Sequence, residues 1–140
     1  MATAKPDTGH GATLTLSSNS SSYKIRRIVG YRENLPVVDI SYLGTTGFRD
    51  VMPGDLVAID AFDVDVLFEA VTGLPPTGTV ETATITYPLQ SSGATTAANS
   101  AGTAFITSRK WPDLQTNNEM VGTISIQFDG ATGPTFTAAS

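Results

Sequence analysis

The 140-residue chain has no cysteine, which excludes a disulfide framework, a thiolate metal site and a thiol nucleophile together. It has one histidine, His10, set in the glycine-rich segment DTGHGAT, where no neighbouring group orients the ring for base catalysis. Charge is sparse: Asp, Glu, Lys and Arg make up 15% of residues, against about a quarter in an ordinary soluble domain. Much of the surface must therefore be Ser, Thr, Gly and Ala, or be covered by other subunits. What charge there is sums to −5, the wrong sign for attraction to nucleic-acid phosphates or anionic lipid. No apolar run approaches the roughly 18 residues of a membrane span, and MATAKPDTGHGATLTL lacks the basic-then-apolar pattern of a secretory leader. The expectation is a protein made in a cytoplasm, without a membrane span.

Catalytic signatures are missing as well. There is no G-x-S-x-G elbow and no phosphate-binding glycine loop. The run D-A-F-D-V-D lacks the glycine bend and the later glutamate of an EF-hand loop. No cofactor and no enzymatic activity are expected.

What the chain does have is period-two alternation, with no helical apolar stripe bounded by caps. Strand candidates are 12–16, 23–29, 37–42, 56–71, 80–87, 103–109 and 120–128, with a weaker one at 134–137. The class is mainly β, and 140 residues suit one domain. Three connections stand out. LPPTG at 74–78 is a stiff turn expected to join adjacent antiparallel strands. The segment 30–54 is too long for a plain connection in a small domain, which points to function or to ordering by a partner. The segment 88–102 fits either a mobile loop or a short helix within 93–101.

Within 56–71, Asp63, Asp65 and Glu69 share one parity, and Phe62, Val64, Val66 and Phe68 the other, so a strand there has one acidic and one apolar face. The acids fit a solvated strand face or the wall of a confined aqueous channel; paired carboxylates for catalysis would also need a cleft with aromatic walls, and the single tryptophan, Trp111, lies far off in the sequence. Lys24, Arg26, Arg27 and Arg32 form a basic group that fits either a solvated face or ion pairs with the acids of a neighbouring subunit, for which Lys24, Arg26 and Arg27 are the candidates.

Three segments resemble one family. DISYLGTTGFRDVMPG, TATITYPL and GTAFITSRKWPDLQTNNEMVGTISIQFDG follow the order and spacing seen in the tail tube proteins of long-tailed bacteriophages, and together they cover most of 37–130. The resemblance implies a β-sandwich or barrel-like subunit with a long loop and at most one short helix. It implies a virion structural protein whose hexameric rings stack into a tube for DNA ejection. On that reading 1–140 is one tail tube domain, with a flexible arm at 1–11, an assembly loop at 30–54 and a C-terminal extension at 131–140.

The implied roles follow. Asp63, Asp65 and Glu69 line the lumen, where carboxylates let DNA pass without binding it. Phe48, Arg49, Met52 and Asp55 contact an adjacent ring or subunit. Implied partners are further copies of the chain, a tape-measure protein and tail terminator or tip proteins. Rival readings are a decoration or head-completion protein, the tube of a contractile particle, and a small carbohydrate-binding β-sandwich.

Overall fold

The computed structural model describes residues 9, 11–17, 19–70, 73–89, 95–130 and 133–140, with backbone only for 19–22. His10, most of the 1–11 arm, and residues 93–94 and 131–132 lie outside the described residues.

Every regular element among the described residues is a strand: β1 Thr13–Leu16, β2 Asn19–Tyr23, β3 Ile25–Val29, β4 Glu33–Asn34, β5 Val37–Asp39, β6 Val51–Pro53, β7 Ala58–Ile59, β8 Phe62–Leu67, β9 Glu81–Thr86, β10 Asn99–Lys110, β11 Val121–Phe128 and β12 Thr135–Thr137. An antiparallel eight-stranded sheet runs β2-β1-β9-β10-β11-β8-β3, with β12 added beside β10. Its two end strands, β2 and β3, are separated in the chain by Lys24 alone. The sheet therefore has to curl until its ends meet, and one chain passage switches partner from β1 to β8 at Lys24. The result is barrel-like.

Alternation explains the core. Leu14 and Leu16, Phe62, Val64 and Val66, Ala83 and Ile85, Ala104 and Ile106, and Ile124, Ile126 and Phe128 each occupy the inward parity of their strand, and all are buried. Phe62 sits at the centre of an aromatic group, with ring centroids 5.4 Å from Tyr31 and 5.6 Å from Phe128. The outward parity is largely hydroxylic. Thr13 and Thr15 stand opposite Thr86 and Thr84, and Thr82 opposite Thr103. On β1, β9 and the facing part of β10, neutral hydroxyls thus take the place of charge on the outer face.

The structure corrects several boundaries. The strand expected over 56–71 is two elements, because the Asp60 carboxylate accepts hydrogen bonds from Arg32 Nε (3.1 Å) and Asn34 Nδ2 (3.0 Å) and turns the chain there. β7 then pairs with β4 outside the main sheet, leaving β8 as the core strand. The 74–78 turn does not join neighbours: it carries the chain from β8 to β9, which are separated in the sheet by β10 and β11. Its Leu74 and Pro75 are buried, and Arg109 Nη1 donates to both of their carbonyls. Strand β10 begins at Asn99, so the end of 93–101 is extended chain.

Gly102 has a specific steric role. A Cβ added there would lie 2.6 Å from the Gly133 carbonyl oxygen and 2.9 Å from Pro134 Cα, both backbone atoms that cannot swing aside. Gly102→Ala is expected to push the β12 segment off β10 at a cost of about 1–3 kcal/mol. Hydrogen exchange tests this: amides at Thr135–Thr137 should lose protection, and unchanged protection would refute the steric account.

Candidate assembly surface

The connection from β3 to β8 builds an arm. β4 and β7 form its base, held to the barrel by Gln127 Nε2 donating to the Ile59 carbonyl at 2.9 Å. Beyond it, β5 and β6 pair as a separate ribbon. The ribbon is internally bonded. Ser41 N donates to Asp39 Oδ1 (2.9 Å), Asp50 N to Ser41 Oγ (2.7 Å), Tyr42 N to Thr45 Oγ1 (2.9 Å) and Gly54 N to the Pro36 carbonyl (2.7 Å). An added Cβ at Gly54 would come within 2.9 Å of that carbonyl, so only glycine lets the two chain segments close.

The arm has almost no inside. Leu43 is 107% exposed, Phe48 94%, Leu56 80% and Tyr42 72%, with Val37, Ile40, Val57, Val51 and Met52 also in water. A defined ribbon carrying so much unpartnered apolar surface is an interface-type surface. Of the residues singled out by sequence, Phe48 is in the loop between β5 and β6, Met52 lies in β6, Arg49 pairs with Asp39 inside the arm at 3.8 Å, and Asp55 is in the bend between β6 and β7. Leu43, Tyr42 and Leu56 were not singled out; their signal was simply that they are large apolar residues in a connection too long for its span.

The acidic face lies outside the barrel, as the parity of β8 requires. Asp63 accepts from Ser125 Oγ (2.5 Å) and Asp65 from Thr123 Oγ1 (2.9 Å), both on β11. Across β3, Arg27 Nε lies 3.8 Å from Asp65, and Lys24 Nζ 2.7 Å from Glu69. Arg26 pairs with Glu119. Each of the three cations therefore has an acid within its own chain, and the face alternates in charge instead of being uniformly acidic. The Glu69 hydrogen bond and charge raise the Lys24 pKa. Glu119 is lowered, first by its own backbone N–H and then by Arg26.

A third region lies at the far end of the barrel. The chain leaves β3 at Val29 and enters β8 at Phe62, so the arm springs from the end where those residues and Phe128 meet. β10 ends at Lys110 and β11 starts at Val121 beside Leu67, at the opposite end. The connection between them carries Trp111, Leu114 and Met120, all exposed. Trp111 meets Phe68 edge-on at 5.9 Å, and the Arg109 guanidinium lies 5.0 Å from its ring. Phe68 N donates to the Met120 carbonyl at 2.8 Å, which ties this end together.

A cleft of about 700 Å³ beside β3 is floored by Ile25, Ile28, Tyr31, Ile85 and Tyr87. Burial is the main cause that pushes the Tyr31 phenol up. Arg26 and Arg27 at its rim lie beside Glu119 and Asp65, and no acid is among the residues lining it. Among the described residues no three His, Asp or Glu side chains cluster as metal ligands.

No family model matches the chain, and no curated protein matches its sequence. Solved structures match its fold. A chain of the anti-feeding prophage baseplate, solved by cryo-EM and 6-fold symmetrised, gives a TM-score of 0.70 at 12% identity, covering 97% of this chain and 98% of that one. A chain from the tube-terminating cap of the anti-feeding prophage gives 0.64 at 19% identity, covering 99% and 95%. Hcp1 from Flavobacterium johnsoniae gives 0.50 at 11% identity, covering 90% and 98%. At these identities the likeness is one of fold, and it spans nearly the full length of both partners: the chain has a mainly β, tail-tube-like fold.

Proposed function

We propose that the chain is a structural subunit that polymerises with copies of itself into a hollow tube within a phage-derived, tail-like particle. The observation that carries this reading is the arm at 36–57, a hydrogen-bonded ribbon that leaves Leu43, Phe48 and Leu56 80–107% exposed. A lone subunit gains nothing from holding those side chains in water; a neighbouring copy would cover them. The full-length fold likeness to chains from tube-bearing particles supports the same reading. A sheath/tube terminator chain of an extracellular contractile injection system has the same fold, with a TM-score of 0.65 at 14% identity over 96% of this chain and 99% of that one, which favours a contractile particle over a long non-contractile tail.

In this proposal the copies form stacked rings, hexameric by the family resemblance, and the whole chain serves as one tube domain. The assembly loop is 30–54, and of the C-terminal extension expected at 131–140, Thr135–Thr137 is a strand of the main sheet beside β10. The outer face of β8, with Asp63 and Asp65, and Glu69 just beyond its end, lines the bore. There Asp63, whose carboxylate bonds a hydroxyl and no cation, and the threonine and serine hydroxyls beside it give a wall to which a polyanion such as DNA does not adhere. Arg27, 3.8 Å from Asp65, is the most loosely paired of the three cations and the one best able to reach an acid of the next subunit. Terminator, tip and tape-measure proteins would be the assembly's partners.

Electron microscopy of the purified protein tests the proposal. Rings or filaments with a central hole are expected, and a density map should place Asp63 and Asp65 on the bore. Monodisperse monomers at high concentration would refute it.

A further inference from the structure

We infer that the surface receiving the arm is the Trp111 end of the next copy, so that subunits join head to tail. This rests on the proposed polymerisation and names the two surfaces that make it.

The argument starts from placement. The arm leaves the barrel at the Val29/Phe62 end, and Trp111, Leu114 and Met120 stand at the Lys24/Leu67 end, with the length of β8, roughly 20 Å of strand, between them. Two exposed apolar surfaces at opposite poles of one subunit cannot cover each other within it. Copies aligned in one direction bring them together, and such a heterologous contact repeats without closing along its axis.

Charge agrees with this pairing. Among the described residues, Asp50 and Asp55 on the arm have no cation within ion-pair distance, whereas Arg49 is taken by Asp39. At the other pole, among the described residues, Arg109 has no acid within that distance; it rests on the Trp111 ring and on the carbonyls of Leu74 and Pro75. A donor carrying two carboxylates without an ion-pair partner thus faces an acceptor whose guanidinium charge is not neutralised by an acid. The chemistry also matches: Phe48 and Leu43 are of a size to lie against Trp111 and Met120, and aromatic and arginine side chains are the groups that most often anchor an interface.

Mixing experiments decide the matter. Phe48→Asp removes the donor; Trp111→Asp removes the acceptor, and Leu114→Asp, at an 80% exposed position, does so without risk to the fold. Each variant alone is expected to stop at the same small assembly, with its threshold concentration for filaments raised at least about 100-fold. An equimolar mixture of a donor-dead and an acceptor-dead variant should give a species of twice that mass and nothing longer, because each partner retains one complementary pole. Folding is checked by circular dichroism on the same samples. If wild-type protein forms filaments while Trp111→Asp and Leu114→Asp form them equally well, the docking surface is wrong and polymerisation stands. If the mixture yields no doubled species, head-to-tail docking is wrong. Wild-type protein that never assembles sinks both readings.

Discussion

Replacing both Leu43 and Phe48 by aspartate is expected to abolish polymerisation while the thermal midpoint of the subunit moves by less than about 2 °C. The two side chains are 107% and 94% exposed, so the folded monomer loses no packing when they change. Their value appears only on contact with another copy. Burying two such side chains is worth roughly 3–6 kcal/mol per contact, and a carboxylate forced into the same apolar site adds a desolvation cost. At about 1.4 kcal/mol per tenfold, the association constant of each contact should fall by at least two powers of ten. A polymer multiplies that loss over every subunit. Sedimentation velocity on matched wild-type and variant samples gives the answer directly. Filaments of normal length from the double variant would remove the arm from the assembly mechanism.

Phe62→Ala should do the reverse, lowering the stability of the subunit by about 3–5 kcal/mol. Phe62 is fully buried and stacks between Tyr31 and Phe128, and β8 is held on both sides by β11 and β3, so the surrounding sheet cannot collapse into the space left. For a domain of this size the midpoint should drop by roughly 10–20 °C. The same truncation at Phe48 should leave the midpoint almost unmoved. Thermal melts of Phe62→Ala and Phe48→Ala side by side therefore separate a residue that builds the barrel from one that is spent on a neighbour. A small shift for Phe62 would mean that the aromatic group is looser than its burial indicates.

How far the fold could be read in advance depended on the range of the interaction. Phe62, Val64 and Val66 against Asp63 and Asp65, and Ala83 and Ile85 against Thr82, Thr84 and Thr86, were assigned to opposite faces by alternation alone, because successive side chains of a strand must point to opposite sides. The exposed arm was legible in outline, since 30–54 is long and rich in turn residues. The candidate contacts Phe48 and Met52 fall on it, but Leu43 and Leu56, equally exposed, were missed, because nothing local distinguishes an apolar residue that will be covered by its own chain from one that will not.

Alternation, hydroxyl content and the lack of helix signals thus came from the sequence by itself, each being set by neighbours a few residues apart. Only the tertiary structure decided which strands pair, that the sheet closes where the chain passes Lys24, and that β8 and β9 are separated by two other strands. It alone gave Arg26 its partner Glu119, 93 residues away, and set Trp111 at the pole opposite the arm. The reason is physical. A strand's two faces follow from its own backbone geometry, whereas its free N–H and C=O groups accept any other strand equally well, so partner choice and every contact that follows from it are settled by how the whole chain encloses its core.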